Sequence, residues 1–430
     1  MKTFATYTLG CKVNQYETQA IEGMFREKGY EQVSFDEKAD LYIINTCTVT
    51  HISDRKSRQM IRHAKKMNPS CLVAVTGCYA QVAPGEVASI EGVDIVCGTK
   101  EKGKLLSLAE QHAAGKTEIQ VGDILRTREF EEMQASVPAG RYRAYIKIQE
   151  GCSEFCTYCI IPFARGPVRS RPLEKIRREA ELLAQKGIRE IILTGIHVAS
   201  YGKDLKDGTG LLDAVEAVSA PDGISRVRLS SIEPMTLTRE FAQRLKQYPK
   251  LCPHFHLSLQ SGCDETLKRM NRKYTCAGFR EVVEGIREAF PDAAVTTDIM
   301  VGFPGETEEE FSHSLRFAEE IRFAQMHIFQ YSRRKGTKAD RMENQVLKEV
   351  KEERSRRMFE IDRICRSAFL ERFLGRELEV LLEQDKDGFL EGKAPNYVTV
   401  RVPSGEGRPG EIKTVRIADA DGDGLFGHIL

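Results

Sequence analysis

The apolar run Ala144-Tyr145-Ile146-Lys147-Ile148 leads into Gly151-Cys152-Ser153-Glu154-Phe155-Cys156-Thr157-Tyr158-Cys159, and no other stretch constrains the fold as tightly. A strand that empties into a C-x3-C-x2-C loop sets three thiols at its C-terminal end, where parallel α/β folds do their chemistry. Thiolates suit zinc or iron–sulfur clusters. A structural zinc site is normally closed by a fourth Cys or His at short spacing, and none follows Cys159 closely. Three thiolates on a cubane leave one iron open to a small molecule. The trio therefore reads as an iron–sulfur loop with a free coordination position rather than a zinc knuckle.

Twelve cysteines in a secreted miniprotein would mean disulfides, but in a chain of 430 residues they read as metal ligands plus buried thiols. That length predicts two or three domains. There is no apolar run near a membrane span and no signal-peptide layout, which predicts a soluble, cytoplasmic protein with no membrane partner. The net charge of +1 means that any nucleic-acid surface must be local.

Apolar runs and helical patterns alternate through the first third. Strands are expected at Phe4–Leu9, Leu41–Asn45, Leu72–Thr76 and Val93–Val96, and helices over Asn14–Lys28, from Ser53 to Met67 and near Pro84–Ser89. This argues a parallel sheet. Cys11, Cys47 and Cys78 sit just past the first three strands and Cys97 ends the fourth. Position alone does not say which of the four bind metal. The polar stretch 127–140, ending in Pro138-Ala139-Gly140, reads as an interdomain linker between units 1–126 and 141–373.

From Ala144 to Ser332 six strand–helix units follow, with strands near Ala144–Gln149, Glu190–Leu193, Arg226–Leu229, Phe255–Leu259, Val295–Val301 and Met326–Tyr331. They predict a partial (β/α)6 barrel with its site at the strand C-termini. A charged helix over Asn344–Phe373 carries Lys351, Arg354, Arg356, Arg357, Arg363, Arg366 and Arg372. After it, 374–430 breaks into short alternating strands: a small five-stranded β-barrel of a kind that binds nucleic acid.

The cysteine loop resembles the signature of radical S-adenosylmethionine (radical SAM) enzymes, whose open iron chelates the methionyl group of S-adenosylmethionine. The runs Leu9-Gly10-Cys11-Lys12-Val13-Asn14-Gln15, Asn45-Thr46-Cys47-Thr48-Val49-Thr50 and Gly77-Cys78-Tyr79-Ala80-Gln81 are similar to the N-terminal motifs of the methylthiotransferases. That resemblance implies two 4Fe–4S clusters, one on Cys152, Cys156 and Cys159 and one on Cys11, Cys47 and Cys78, with Cys97 left as a core thiol. It also implies that the C-terminal barrel is the RNA-binding module called TRAM.

Within this family, S-adenosylmethionine contacts are expected at each strand end. Tyr158 would pack on adenine, and Gly195 after Thr194 would let backbone approach the ligand. Ser231 and Glu233 would take the ammonium or ribose, with Gln260 and Asp298 on the next strands and Gly302 in a glycine-containing strand against adenine. His197 and His256 read as scaffold residues rather than general bases. The glycine-glycine-glutamate turn that many radical SAM proteins use on the amino group is absent, and Thr194-Gly195 stands in its place. Arg333, Arg334 and Lys335, just past the sixth strand, are expected to meet RNA phosphates, together with the basic helix and C-terminal barrel.

Leu193-Thr194-Gly195-Ile196-His197 and Phe329-Gln330-Tyr331-Ser332-Arg333-Arg334-Lys335-Gly336-Thr337 most resemble the branch acting on N6-threonylcarbamoyladenosine beside the tRNA anticodon. The resemblance implies methylthio transfer to carbon 2 of that base in the anticodon loop. An electron donor such as a flavodoxin or ferredoxin, and a sulfur donor, are the further partners it implies. Competing readings are the same chemistry on isopentenyladenosine or a ribosomal-protein side chain, and a non-catalytic iron–sulfur protein that binds tRNA or senses redox state. A sensor needs no cofactor pocket at the barrel's strand ends.

Overall fold

The computed structural model describes residues 2–113, 115–136 and 140–430. Its first layer is a six-stranded parallel sheet in the spatial order Glu31–Gln32, Thr3–Thr8, Leu41–Thr46, Leu72–Gly77, Ile95–Cys97, Glu118–Gln120. Leu41–Thr46 is buried along its whole length, as expected of a central parallel strand covered on both faces. On one face Ala20, Ile21 and Phe25 of the helix Lys12–Glu27 pack with Phe4, Ile43 and Ile95. On the other, Ile61 and Ala64 of the helix His51–Met67 pack with Tyr42, Ile44 and Val73. That second helix starts two residues earlier than its apolar periodicity suggests, because the Thr50 hydroxyl caps it by accepting from the Ser53 N–H at 3.2 Å.

The central unit consists of two parallel three-stranded sheets. Arg143–Lys147, Glu190–Thr194 and Arg226–Leu229 form one; His254–Gln260, Ala294–Val301 and Gln325–Gln330 form the other. Single bridges, Val227 to Leu251 and Ile232 to Leu257, join them into an open barrel around one continuous apolar core. A short antiparallel pair, Gln149–Glu150 with Arg169–Ser170, clasps the two ends of the cysteine loop; alternation of apolar residues gives no sign of it. The helix Lys348–Glu371 then runs from the barrel's core at Met358 to that of the last unit at Phe369 and Leu370. Glu377–Lys386, Phe389–Lys393, Thr399–Pro403, Ile412–Asp421 and Gly424–Ile429 close a five-stranded barrel. No helix among the described residues is long and apolar enough to cross a membrane.

Three expectations need correcting. The stretch 127–140 is strapped down rather than free as far as Ser136. The Met133 side chain is buried and its carbonyl accepts from the Tyr16 hydroxyl at 2.6 Å. Glu132 pairs with Arg171, and Glu131 accepts from the Gly103 N–H. Its polar residues are spent on ion pairs, which composition cannot distinguish from solvation; Pro138 and Ala139 lie outside the described residues. The long helix is not a free basic face either. Arg354 donates to Glu306 at 2.8 Å, Arg357 to Glu308 at 2.7 Å, and Arg366 and Arg372 to the carbonyls of Asp423 and Pro291. Lying between two cores, the helix uses these cations as ties; Arg356 and Arg363 remain exposed. Finally, alternation suggests a strand over Tyr397–Val402, but the strand starts at Thr399 and Tyr397 lies outside it. Its backbone is left-handed (φ +72°), and its ring sits under the central barrel, 4.5 Å from the Arg228 guanidinium and 4.9 Å from the His254 ring.

Candidate active site

Gly151 opens the cysteine loop with φ +75°, and a Cβ there would stand 1.9 Å from the Pro167 carbonyl oxygen. Only glycine fits that approach. The loop is then pinned from outside. The Cys152 N–H donates to the Gly166 carbonyl at 2.9 Å, and the Thr157 N–H and hydroxyl donate to the carbonyls of Met270 and Arg269. The Thr157 carbonyl accepts from the Ala339 N–H. Arg272 is the main anchor: one guanidinium nitrogen donates to Cys156 Sγ at 3.2 Å, the other to Glu233 at 2.8 Å and to the Ser258 carbonyl at 3.0 Å. Sequence reasoning missed Arg272. Its signal was the polar run Asn271-Arg272-Lys273-Tyr274, in which Asn271 is left-handed (φ +62°) and donates to the Phe155 carbonyl. Burial pushes the thiols of Cys152 and Cys159 up to about 11 and about 12.

Residues expected to meet S-adenosylmethionine collect around this loop, but not all as anticipated. Glu233 is held below the ordinary carboxylate range although burial opposes it, because His197 and Arg272 both favour its charge. Asp298 lies 3.2 Å from His256 Nε2. Tyr158 is half-buried, its ring edge-on to Phe303 at 6.5 Å. Thr194 is buried in its strand, and its carbonyl accepts from the Ile148 N–H. The space over Gly195 is taken by Gln149, whose Oε1 would lie 2.9 Å from an added Cβ and accepts from the His197 N–H at 2.7 Å. Gly302, at φ +71°, is crowded by Lys351, whose Cγ would be 2.1 Å from a Cβ. Ser231 is exposed; the buried hydroxyl is that of Ser230. Three buried polar atoms here, Ser230 Oγ, Gln260 Oε1 and His197 Nε2, have no hydrogen-bond partner. Such atoms are costly unless a bound group satisfies them, which suits a polar cofactor.

The second trio assembles because two glycines let strand ends close up. Gly10 (φ +99°) lies so near Cys47 that an added Cβ would be 2.8 Å from Cys47 Cβ, and Gly77 (φ +94°) would put one 2.3 Å from the Thr46 carbonyl oxygen. Cys11 then precedes the helix Lys12–Glu27, and Cys78 opens the short helix Cys78–Val82. The three thiols feel one another: burial, then Cys78, raises Cys47 to about 11, and the Cys11 thiol is raised by burial while Arg165 opposes it. Cys97 turns instead into the apolar core and donates to the Glu101 carbonyl at 3.1 Å. Arg165, the last residue of the short helix Ile161–Arg165 that follows Cys159, donates from Nε to Cys78 Sγ at 3.3 Å, so the chain leaving the first trio reaches the second. Among the described residues no three His, Cys, Asp or Glu side chains converge on a single ion. A cubane makes no such demand, since each thiolate holds its own iron. Thiol-only donors, each trio served by one buried guanidinium, fit clusters.

An open six-stranded barrel with three thiols at the mouth of its first strand defines a radical SAM protein. The Radical SAM superfamily model matches residues 146–318, and that of Uncharacterized protein family UPF0004 matches residues 3–98. Similar chains include the threonylcarbamoyladenosine tRNA methylthiotransferase MtaB of Bacillus subtilis, 43% identical over 98% of this chain and 94% of that one. The tRNA-2-methylthio-N(6)-dimethylallyladenosine synthase of Acetivibrio thermocellus is 35% identical over 100% and 91%. Among solved structures, the radical S-adenosylmethionine methyltransferase TsrM of Kitasatospora setae shares the fold, with a TM-score of 0.56 at 17% identity over 77% of this chain and 75% of that one. The chain belongs to the radical SAM methylthiotransferase family.

Proposed function

We propose that this enzyme adds a methylthio group to carbon 2 of N6-threonylcarbamoyladenosine beside the anticodon of tRNA. In this reading Cys152, Cys156 and Cys159 hold one 4Fe–4S cluster together with S-adenosylmethionine, and Cys11, Cys47 and Cys78 hold another. Bound there, these groups supply the radical and sulfur chemistry that an unactivated C–H bond requires and no side chain offers. The chain's own residues place them: Arg272 orients Cys156 and Glu233 together, and Arg165 ties Cys78 to the stretch that leaves the radical loop. A flavodoxin- or ferredoxin-like electron donor and a sulfur donor complete the requirements.

The observation that favours the threonylcarbamoyl branch is the polarity of the barrel's lumen. Phe255, Leu257 and Leu259 pack into the surrounding core, so alternation turns His254, His256, Ser258 and Gln260 inward. His327 lies 5.5 Å from His256, ring to ring. Lys12, beside Cys11, reaches the same space: burial, then Arg228 and Lys12, holds His254 well below the ordinary imidazole range. A threonylcarbamoyl group brings a carboxylate, a hydroxyl and amides to such a lining. A dimethylallyl group brings only carbon, and would leave these polar groups desolvated and unpaired. Mass spectrometry of tRNA nucleosides tests this. Deleting the gene should remove 2-methylthio-N6-threonylcarbamoyladenosine, leaving its unmethylthiolated precursor, and re-expression should restore it. Loss of a 2-methylthio dimethylallyl nucleoside instead would overturn the reading.

The RNA backbone is assigned to the C-terminal barrel and the rim of the central one, with one change from the sequence-based expectation. Arg333 and Lys335 are exposed, but Arg334 is buried, and its guanidinium pairs with Asp54 of the N-terminal unit. It is a domain tie. Arg334→Gln is expected to cost about 3 kcal/mol, the scale for breaking a buried ion pair, without changing the salt dependence of tRNA binding. Arg334→Gln with Asp54→Asn should recover most of the loss. Thermal unfolding and a salt titration of binding read the two effects, and a smaller salt slope in Arg334→Gln would return this residue to the RNA face.

A further inference from the structure

Arg165 is fully buried, and each edge of its guanidinium is committed. Nη1 donates to Glu17 at 2.6 Å and to Glu150 at 3.2 Å, and Nη2 to Glu17 at 3.1 Å and to Asn14. This leaves Nε directed at Cys78 Sγ, 3.3 Å away. The two carboxylates are themselves buried and shared with Lys147, 3.1 Å from Glu17 and 2.9 Å from Glu150, and with Lys102, 3.3 Å from Glu17. Arg165, Lys147 and Lys102 thus interleave with Glu17 and Glu150 out of water, with Glu131 and Arg169 in the same field, beside the N-terminal thiols. An ion network that served only to join two domains would need no donor aimed at a sulfur.

The residue type matters as much as the charge. A guanidinium is a rigid fork that can serve carboxylates on one side and a sulfur on another, whereas an ammonium is a point charge on a flexible stem. Arg165 also follows closely on Cys159 in the chain and contacts Cys78, so a short stretch of chain and one hydrogen bond link one trio to the other.

We propose that Arg165 is a positioning residue that holds Cys78 against the radical loop and sets the reduction potential of the cluster carried by Cys11, Cys47 and Cys78. This rests on the assignment of those three cysteines as cluster ligands. Reduction adds negative charge to a cluster, and a hydrogen bond to a ligating sulfur together with a nearby buried cation stabilises that charge. Arg165 therefore raises the potential, and its loss lowers it.

The test uses the full chain with Cys152→Ala, Cys156→Ala and Cys159→Ala as the parent, so that a single cluster is observed. After anaerobic reconstitution the parent should hold about four irons, one cubane. Arg165→Lys keeps the charge for Glu17 and loses the bond to sulfur. Arg165→Gln with Glu17→Gln removes both members of the pair, leaving Lys147 with Glu150 and Lys102 with the Thr99 carbonyl. Iron content, thermal unfolding of the apo-protein and a potentiometric titration followed by electron paramagnetic resonance are read on each. Both variants should keep their iron and show a more negative midpoint than the parent, because both lose the bond to sulfur. Unchanged midpoints with iron retained overturn the inference alone, as does iron loss that tracks thermal stability in both variants. A parent that binds no iron removes the ligand assignment, and the inference with it.

Discussion

Replacing Cys11, Cys47 and Cys78 together by alanine is expected to abolish methylthio transfer while leaving the cleavage of S-adenosylmethionine to 5′-deoxyadenosine in place. The radical loop is pinned by Arg269, Met270, Asn271, Arg272 and Ala339, all of the central unit, and none of these contacts runs through the N-terminal thiols. The wild-type protein, reconstituted anaerobically, should carry about eight irons, two cubanes, and this variant about half. The reciprocal variant, lacking Cys152, Cys156 and Cys159, should also keep about half the iron, yet neither cleave the cofactor nor form product. Arg165 loses its sulfur partner in the first variant but keeps Glu17 and Glu150, so the fold should survive. Iron assays, chromatography of 5′-deoxyadenosine and mass spectrometry of the RNA product read these arms. Methylthiolated product from the first variant, or full wild-type iron in it, would refute the division of labour.

Removing residues 376–430 is expected to unfold or aggregate the remainder, not merely to weaken RNA binding. The C-terminal barrel shares its apolar core with Ala294 and Ala324 of the central barrel and with Phe369, Leu370 and Phe373 of the long helix. Truncation would expose those three large side chains, at roughly 1.5–3 kcal/mol each. It would also strip buried Arg226 of Glu379 and of the Lys393 carbonyl, and buried Arg228 of the Pro395 carbonyl and the Tyr397 ring. With the barrel gone those guanidiniums face water, so the loss lies in the three exposed apolar side chains, about 4.5–9 kcal/mol together, which rivals the roughly 5–15 kcal/mol by which a domain is stable. Soluble yield and thermal unfolding of the truncated chain are the measurements. A truncated protein with the parent's melting temperature and iron content would show that the three units fold independently.

That second expectation differs from what the sequence suggests, and the difference shows where legibility ends. Strand–helix alternation, the turn residues and the short C-terminal strands are local signals, and the elements form within a few residues of where those signals put them. The three-thiol loop was legible because its ligands are adjacent in the chain. Which of Cys11, Cys47, Cys78 and Cys97 belong together was not, because their separation carries no spacing rule; the closing of Gly10 on Cys47 and the turn of Cys97 into the apolar core are what support the proposed trio.

Charge was the least legible property. Arg165, Arg272, Arg334 and Arg354 have the same appearance in a sequence as any solvated arginine, yet each is buried and committed to a carboxylate, and two of them also to a cysteine sulfur. A guanidinium's worth depends on what desolvates it and what it faces, and both are set by residues far away in the chain. Periodicity and motif, which act over a few residues, determined the three architectural units and the chemistry of the first cysteine trio. The tie from Arg165 to Cys78, the buried ion network around it and the docking of the last barrel under the central one were decided only by tertiary structure, because packing and ion pairing act between residues that sequence order keeps apart.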